Sequence, residues 1–130
     1  MKMNKAAVYD SRFFAELFYS KDENLKERIR KEKAGREKYV SAVSVHEIYR
    51  LALTREGRET AKLKVALLKR GFEVVPVDEQ IAQTSAELRC KYNLSMGDSM
   101  IAATASAIDA ICVSDDPHFK QIKEIQTTWI

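Results

Sequence analysis

Residues 95–116, Ser-Met-Gly-Asp-Ser-Met-Ile-Ala-Ala-Thr-Ala-Ser-Ala-Ile-Asp-Ala-Ile-Cys-Val-Ser-Asp-Asp, decide how the chain is read. Ser95 with Asp98 three positions on is a helix-start pattern, the serine capping and the acid occupying the first turn. The helix that follows is built of Ala, Ser and Thr, small side chains that let a helix approach a sheet closely. Residues 110–113 then form a short apolar run that delivers Ser114, Asp115 and Asp116 into a turn before Pro117, as a buried strand does. Acids at a helix start and just past a strand end are what an α/β fold uses to gather oxygen ligands, because ligands collect outside the carboxyl ends of the strands.

Working outward, the same arrangement recurs. Residues 5–9 read as a buried strand followed at once by Asp10 and Ser11, and Phe13, Phe14, Leu17 and Phe18 then recur at helical spacing. Residues 22–36 predict a charged helix with a thin seam at Leu25 and Ile29, stopped by Ala34-Gly35. Residues 39–43 predict a second strand. Ser44-Val45-His46-Glu47 fits a capping box opening a helix to about residue 56, and a return of Glu47 to the Ser44 amide would explain that acid without any chemistry.

Residues 59–70 predict an amphipathic helix with Leu63, Leu67 and Leu68 inward and Gly71 as a left-handed stop. Residues 73–77 predict a third strand, placed at an edge or terminus by Pro76, and Asp78 caps a helix to residue 92. A fourth strand at 111–113, a helical turn at 117–122 and an edge strand at 126–130 complete the chain. Alternating strands and helices predict one α/β domain over residues 1–130, a three-layer α/β/α sandwich with a central parallel sheet.

The totals exclude several classes. A chain of 130 residues suits one domain, and 45% hydrophobic content with 4 Gly and 2 Pro is that of an ordinary folded protein. Cys90 and Cys112 read as reduced core residues. With His46 and His118 they show no paired zinc spacing, and Arg50 stands where a zinc-protease helix needs its second histidine. No apolar run reaches the ~20 residues that cross a bilayer, and the first residues lack a leader pattern, so a soluble, cytoplasmic protein with no membrane partner is expected. Net charge is +3 but uneven: residues 21–70 hold 15 basic and 8 acidic side chains, giving +7 there and −4 elsewhere. A polyanion would be drawn to that segment.

Asp10, Glu47, Asp98 and Asp116 are thus expected at one sheet edge. Carboxylates brought together repel one another, and a divalent cation relieves the repulsion. With no His or Cys in the set, Mg²⁺ or Mn²⁺ is favoured over zinc or iron. Spacing favours Asp116 as the last acid but leaves Asp115 open, as it leaves open whether one ion binds or two. Other α/β enzymes fit less well. A receiver domain needs paired acids where Asp10 is single, and a dehalogenase-type phosphatase needs an aspartate where Arg12 stands.

Asp10-Ser11 after the first strand, Ser44-Val45-His46-Glu47, residues 97–105 (Gly-Asp-Ser-Met-Ile-Ala-Ala-Thr-Ala) and residues 113–119 (Val-Ser-Asp-Asp-Pro-His-Phe) together resemble the PIN domain over essentially the whole chain, in particular the VapC-type toxins of toxin–antitoxin pairs. The resemblance implies a Mg²⁺- or Mn²⁺-dependent endoribonuclease with Asp10, Glu47, Asp98 and Asp116 around the metal. Ser114 would be the hydroxyl beside it, and Ser11 would support Asp10. It implies hydrolysis that leaves a 5′-phosphate and a 3′-hydroxyl. It also implies an RNA substrate, an antitoxin protein that covers the active site, and a homodimer. Arg50, Arg55 and Lys62 are candidate RNA-backbone contacts, and Phe18, Tyr19 and Leu53 candidate protein contacts. The rival expectation is a catalytically inactive binding module that keeps the fold and uses its acids as caps.

Overall fold

The computed structural model describes residues 6–32 and 36–130. β1 (Ala7–Tyr9) leads into α1 (Ser11–Tyr19), α2 (Glu23–Glu32), β2 (Lys38–Ser41), α3 (Ala42–Glu56), α4 (Arg58–Gly71), β3 (Glu73–Val75), α5 (Glu79–Lys91), α6 (Met96–Ala107), β4 (Ile111–Val113), a 3₁₀ turn (Pro117–Gln121) and β5 (Thr127–Thr128). Every ladder is parallel, and the strand order is β3-β2-β1-β4-β5. From β1 the chain builds outward to β3, then crosses over to lay β4 on the other side of β1. That reversal opens a crevice beyond the carboxyl ends of β1 and β4, where sheets of this kind place their ligands.

The period of two along the strands sorts the core into two layers. Val8 and Cys112 face α5 and α6, packing with Ile81, Leu88, Ile101 and Phe119. Ala7, Tyr9, Ile111 and Val113 face the other way, onto Phe13, Phe14, Ile48, Leu68 and Phe72. The sheet is therefore covered on both faces, giving the three-layer α/β/α arrangement. Tyr9, Phe13, Phe14 and Phe72 meet at ring separations of 4.6–6.1 Å in tilted or edge-on contacts, each worth ~1 kcal/mol beyond the area buried. Opposite them, Ala102, Ala103 and Ala105 are fully buried, and these small side chains seat α6 close to the sheet. Ser85 and Ser99 share a hydrogen bond of 2.8 Å between α5 and α6.

Four local expectations are corrected. The cap of α3 is Ser41, whose hydroxyl accepts from the Val43 amide at 3.1 Å, so no Ser44–Glu47 capping box forms. β2 turns straight into the helix without a loop, and Ser44 is already in the first turn. On α4, Leu63 and Leu67 point outward, 65% and 56% exposed, while Ala61 and Leu68 are buried. The inward stripe runs 61–65–68, and Leu63 lies about 200° round the helix from Ala61. Gly71 is simply the last residue of α4. The left-handed glycine is Gly57, φ +87°, which joins α3 to α4. Both cysteines are free, but Cys90 is exposed on α5 and only Cys112 is core. The expected stop of α2 at Ala34-Gly35 lies outside the described residues. No helix among the described residues is long and apolar enough to cross a membrane.

Candidate active site

Asp10 follows the last residue of β1 and caps α1, its Oδ1 accepting from the Arg12 amide at 3.2 Å. Its other oxygen accepts from the hydroxyl of Ser114, the residue that follows β4. β1 and β4 are hydrogen-bonded neighbours, with Tyr9 beside Val113, so two side chains remote in sequence leave the sheet side by side. Both are 3% exposed.

Asp98 reaches the same edge from the first turn of α6, where Ser95 caps the helix by accepting from the Asp98 amide at 3.1 Å. Asp116 caps the 3₁₀ turn; its Oδ1 accepts from the His118 amide at 2.9 Å and lies 2.8 Å from His118 Nδ1. Glu47, on the second turn of α3, accepts from the Ser11 hydroxyl, which also lies 3.2 Å from the Ser44 hydroxyl, so Ser11 serves not Asp10, as expected, but Glu47. Gly97 makes room for it: a Cβ there would meet Glu47 Oε2 at 2.8 Å.

These groups open into one cavity of about 780 Å³ between α1 and α3. Asp10, Glu47, Asp98 and Asp116 line its acidic end, and Arg12, His46, Arg50 and Thr54 continue its walls. All four expected acids line this one cavity, and of them Asp98 and Asp116 fall in the group whose ligand atoms lie within 4.8 Å of one another. Asp115 is not among the lining residues. It turns outward into an ion pair with Arg12, so the structure places Asp116, rather than its neighbour, in the cavity.

Two of the carboxylates, Asp10 and Asp98, hold a proton more tightly than an ordinary carboxylate. Burial pushes Asp10 up to about 6 against the pull of Ser114 and the Arg12 amide, and the charges of Asp98 and Glu47 push the same way. Asp98 is raised by burial and then by the charge of Asp116. Burial also pushes Asp116 upward, but the amide and imidazole of His118 outweigh it and hold the carboxyl below its ordinary value. A cavity that raises the pKa of Asp10 and Asp98 is one that a cation would stabilise.

His118 is the residue that reading for acids misses. Asp98, Asp116 and His118 offer ligand atoms that all lie within 4.8 Å of one another, so a nitrogen stands within reach of the acids. The signal in the sequence is Asp-Pro-His: a capping acid with Pro at the first turn position brings back over itself the side chain two residues on. The donor set suits a divalent ion. It offers buried and half-buried carboxylates on rigid element ends, and a glycine cradle that a methyl group would fill.

Comparison with known proteins agrees with this geometry. The model of the PIN domain family matches residues 7–125. The chain belongs to the PIN domain family. No curated protein matches it by sequence. Among solved structures, the PIN chain is similar to VapBC2 of Rickettsia felis bound to promoter DNA, with TM-score 0.81 and 14% identity over 96% of this chain and 98% of that one. It is also similar to DNA-bound VapBC of Salmonella typhimurium, with TM-score 0.79 and 19% identity over 96% and 98%. A third is VapC20 of Mycobacterium tuberculosis, described as a sarcin–ricin loop cleaving toxin, with TM-score 0.74 and 17% identity over 89% and 94%. At these identities the likeness is one of fold.

Proposed function

We propose that this PIN domain is a divalent-metal-dependent endoribonuclease, the toxin of a toxin–antitoxin pair. The reading is carried by the meeting of Asp10, Glu47, Asp98 and Asp116 at one cavity on the carboxyl edge of the sheet. It is supported by structural neighbours described as a toxin–antitoxin complex, as a member of the VapBC family of toxin–antitoxin systems and as a sarcin–ricin loop cleaving toxin.

Asp10, Asp98 and Asp116 would hold Mg²⁺ or Mn²⁺, with Glu47, seated against Gly97, bearing on a second ion or on the attacking water. The ion, when bound, supplies Lewis acidity to the phosphate and lowers the pKa of a water. Ser114 fixes the orientation of the Asp10 carboxylate, and Ser11 does the same for Glu47. Arg50 and Arg12, the latter paired with Asp115, line the cavity and would meet the RNA backbone, giving affinity without sequence choice. Arg55 is less available, since its guanidinium stacks 4.5 Å from the Tyr19 ring centre.

The antitoxin would cover this cavity. The outward leucines of α4, Leu63 and Leu67, offer apolar surface for an amphipathic partner helix. Leu67 also lines a second cavity of about 220 Å³, with Leu17, Phe18, Leu68, Gly71 and Phe72.

Incubation of purified protein with structured RNA and Mg²⁺ or Mn²⁺ tests the reading. Cleavage to 5′-phosphate and 3′-hydroxyl ends is expected, abolished by chelator and by Asp98→Asn with the fold retained. Full cleavage by that variant would refute the metal-site assignment. No cleavage by the native chain on any RNA would return the domain to the class of inactive binding modules.

A further inference from the structure

Of the two histidines in the chain, His118 stands at the acid cluster and His46 on the cavity wall. We infer that His118 supplies a nitrogen ligand to the ion shared by Asp98 and Asp116. The site is then a mixed nitrogen and oxygen site that takes a first-row ion such as Mn²⁺ in preference to Mg²⁺. The inference rests on the metal-site reading above and adds a ligand and a metal preference to it.

The local fold commits His118 to this place. Asp116 caps the 3₁₀ turn and Pro117 occupies its first position, so the backbone amide of His118 points at Asp116 Oδ1 from 2.9 Å. The imidazole follows, with Nδ1 at 2.8 Å from the same oxygen. Two ligands at adjacent corners of an octahedral ion with bonds of ~2.1 Å sit about 3.0 Å apart, and opposite ligands about 4.2 Å. The Nδ1···Oδ1 separation is thus close to an adjacent-ligand edge. The full Asp98, Asp116 and His118 set lies within 4.8 Å, against about 4.2 Å between opposite ligands of such an ion.

The ring is otherwise uncommitted. It is 59% exposed, and Asp116 is its one hydrogen-bonding partner among the described residues. Nδ1 and Asp116 Oδ1 share a hydrogen bond of 2.8 Å, and on coordination the Nδ1 lone pair would turn to the ion instead. Mg²⁺ sheds its water reluctantly and takes oxygen, whereas first-row ions accept imidazole readily.

The competing role is purely orienting, with His118 holding Asp116 in place and never touching the ion. Pulsed EPR on tag-free protein loaded with Mn²⁺ separates the two. The ligand role predicts a ¹⁴N coupling in the native protein that persists in His46→Gln and disappears in His118→Gln. Calorimetric titrations of His118→Gln should show Mn²⁺ affinity falling about 10-fold while Mg²⁺ affinity falls less. Bound Mn²⁺ without a ¹⁴N coupling, a coupling that survives His118→Gln, or equal losses for the two ions would overturn the ligand role and leave the metal-site reading standing. Failure of the native protein to bind Mn²⁺ at all would overturn both. Circular dichroism confirms that this exposed substitution leaves the fold in place.

Discussion

The Ser114 hydroxyl donates to Asp10 Oδ2, tying the ends of β1 and β4 together across 104 positions of sequence. Both partners are buried, so the bond supports the fold and fixes the direction in which the carboxylate faces. Ser114→Ala should cost about 1–2 kcal/mol of stability, because it removes a donor from a buried charged acceptor. It should also weaken metal binding and cleavage about 10-fold by leaving Asp10 free to rotate. Urea denaturation and a Mn²⁺ titration of the variant check both effects.

Asp10 makes the ion-free chain depend on pH. Its folded pKa of about 6 lies above the 3.8 of a free carboxyl, so the folded state binds this proton more tightly than the unfolded state does. The resulting stability is fully present below about pH 4 and is lost as pH rises through about 6. The shift of roughly 2 units corresponds to ~3 kcal/mol between pH 4 and neutrality. Asp98 contributes in the same sense. Asp116, held low, contributes the opposite, stability that is present above its ordinary pKa and lost in acid. Asp10→Asn should therefore melt higher than the native chain at pH 7.5 in chelator, and the advantage should vanish at pH 4. Scanning calorimetry at the two pH values gives the answer.

Gly97 separates site from fold. Its φ is not left-handed, so alanine fits the backbone and gains up to ~1 kcal/mol of helix propensity. The new methyl would meet Glu47 Oε2 at 2.8 Å, and the end of a flexible side chain moves cheaply. Gly97→Ala should keep or raise the melting temperature while cleavage falls about 10-fold as Glu47 swings out. Parallel melting and RNA cleavage measurements distinguish this from simple misfolding, which would lower both.

Asp115 and Asp116 are adjacent and should behave differently. Asp115 forms an ion pair with Arg12 at the surface, a contact worth under ~1 kcal/mol, so Asp115→Asn should retain most activity and metal affinity. Asp116→Asn removes a cavity carboxylate and should abolish both. A reversal of these outcomes in a Mn²⁺ titration would move the last acid to Asp115.

The strand positions and the acids that follow them are legible in the sequence because both follow from short-range rules, whereas the order β3-β2-β1-β4-β5 is set by pairings between remote segments. Apolar runs of three to five residues bounded by Asp or Ser mark strands, and Ser95 and Asp78 cap helices as their spacing indicates. What escapes depends on which direction a side chain takes. Ser41 and Ser44 both stand before an apolar-periodic segment, and only the abrupt turn out of β2 selects Ser41 as the cap. Leu63 and Leu67 satisfy a helical repeat by count, yet the stripe that meets the sheet is set by Ala61 and Leu68. His118 joins the acids through one turn of 3₁₀ helix, a geometry that residue type alone does not announce.

Calorimetric titration of Mn²⁺ and Mg²⁺ into the native chain and into Asp98→Asn, at neutral pH and with the fold of each verified, tests the central claim most directly. Saturable binding by the native chain, lost or weakened at least 100-fold in the variant, is the predicted result. Equal binding by the two proteins, or none by either, would contradict the account.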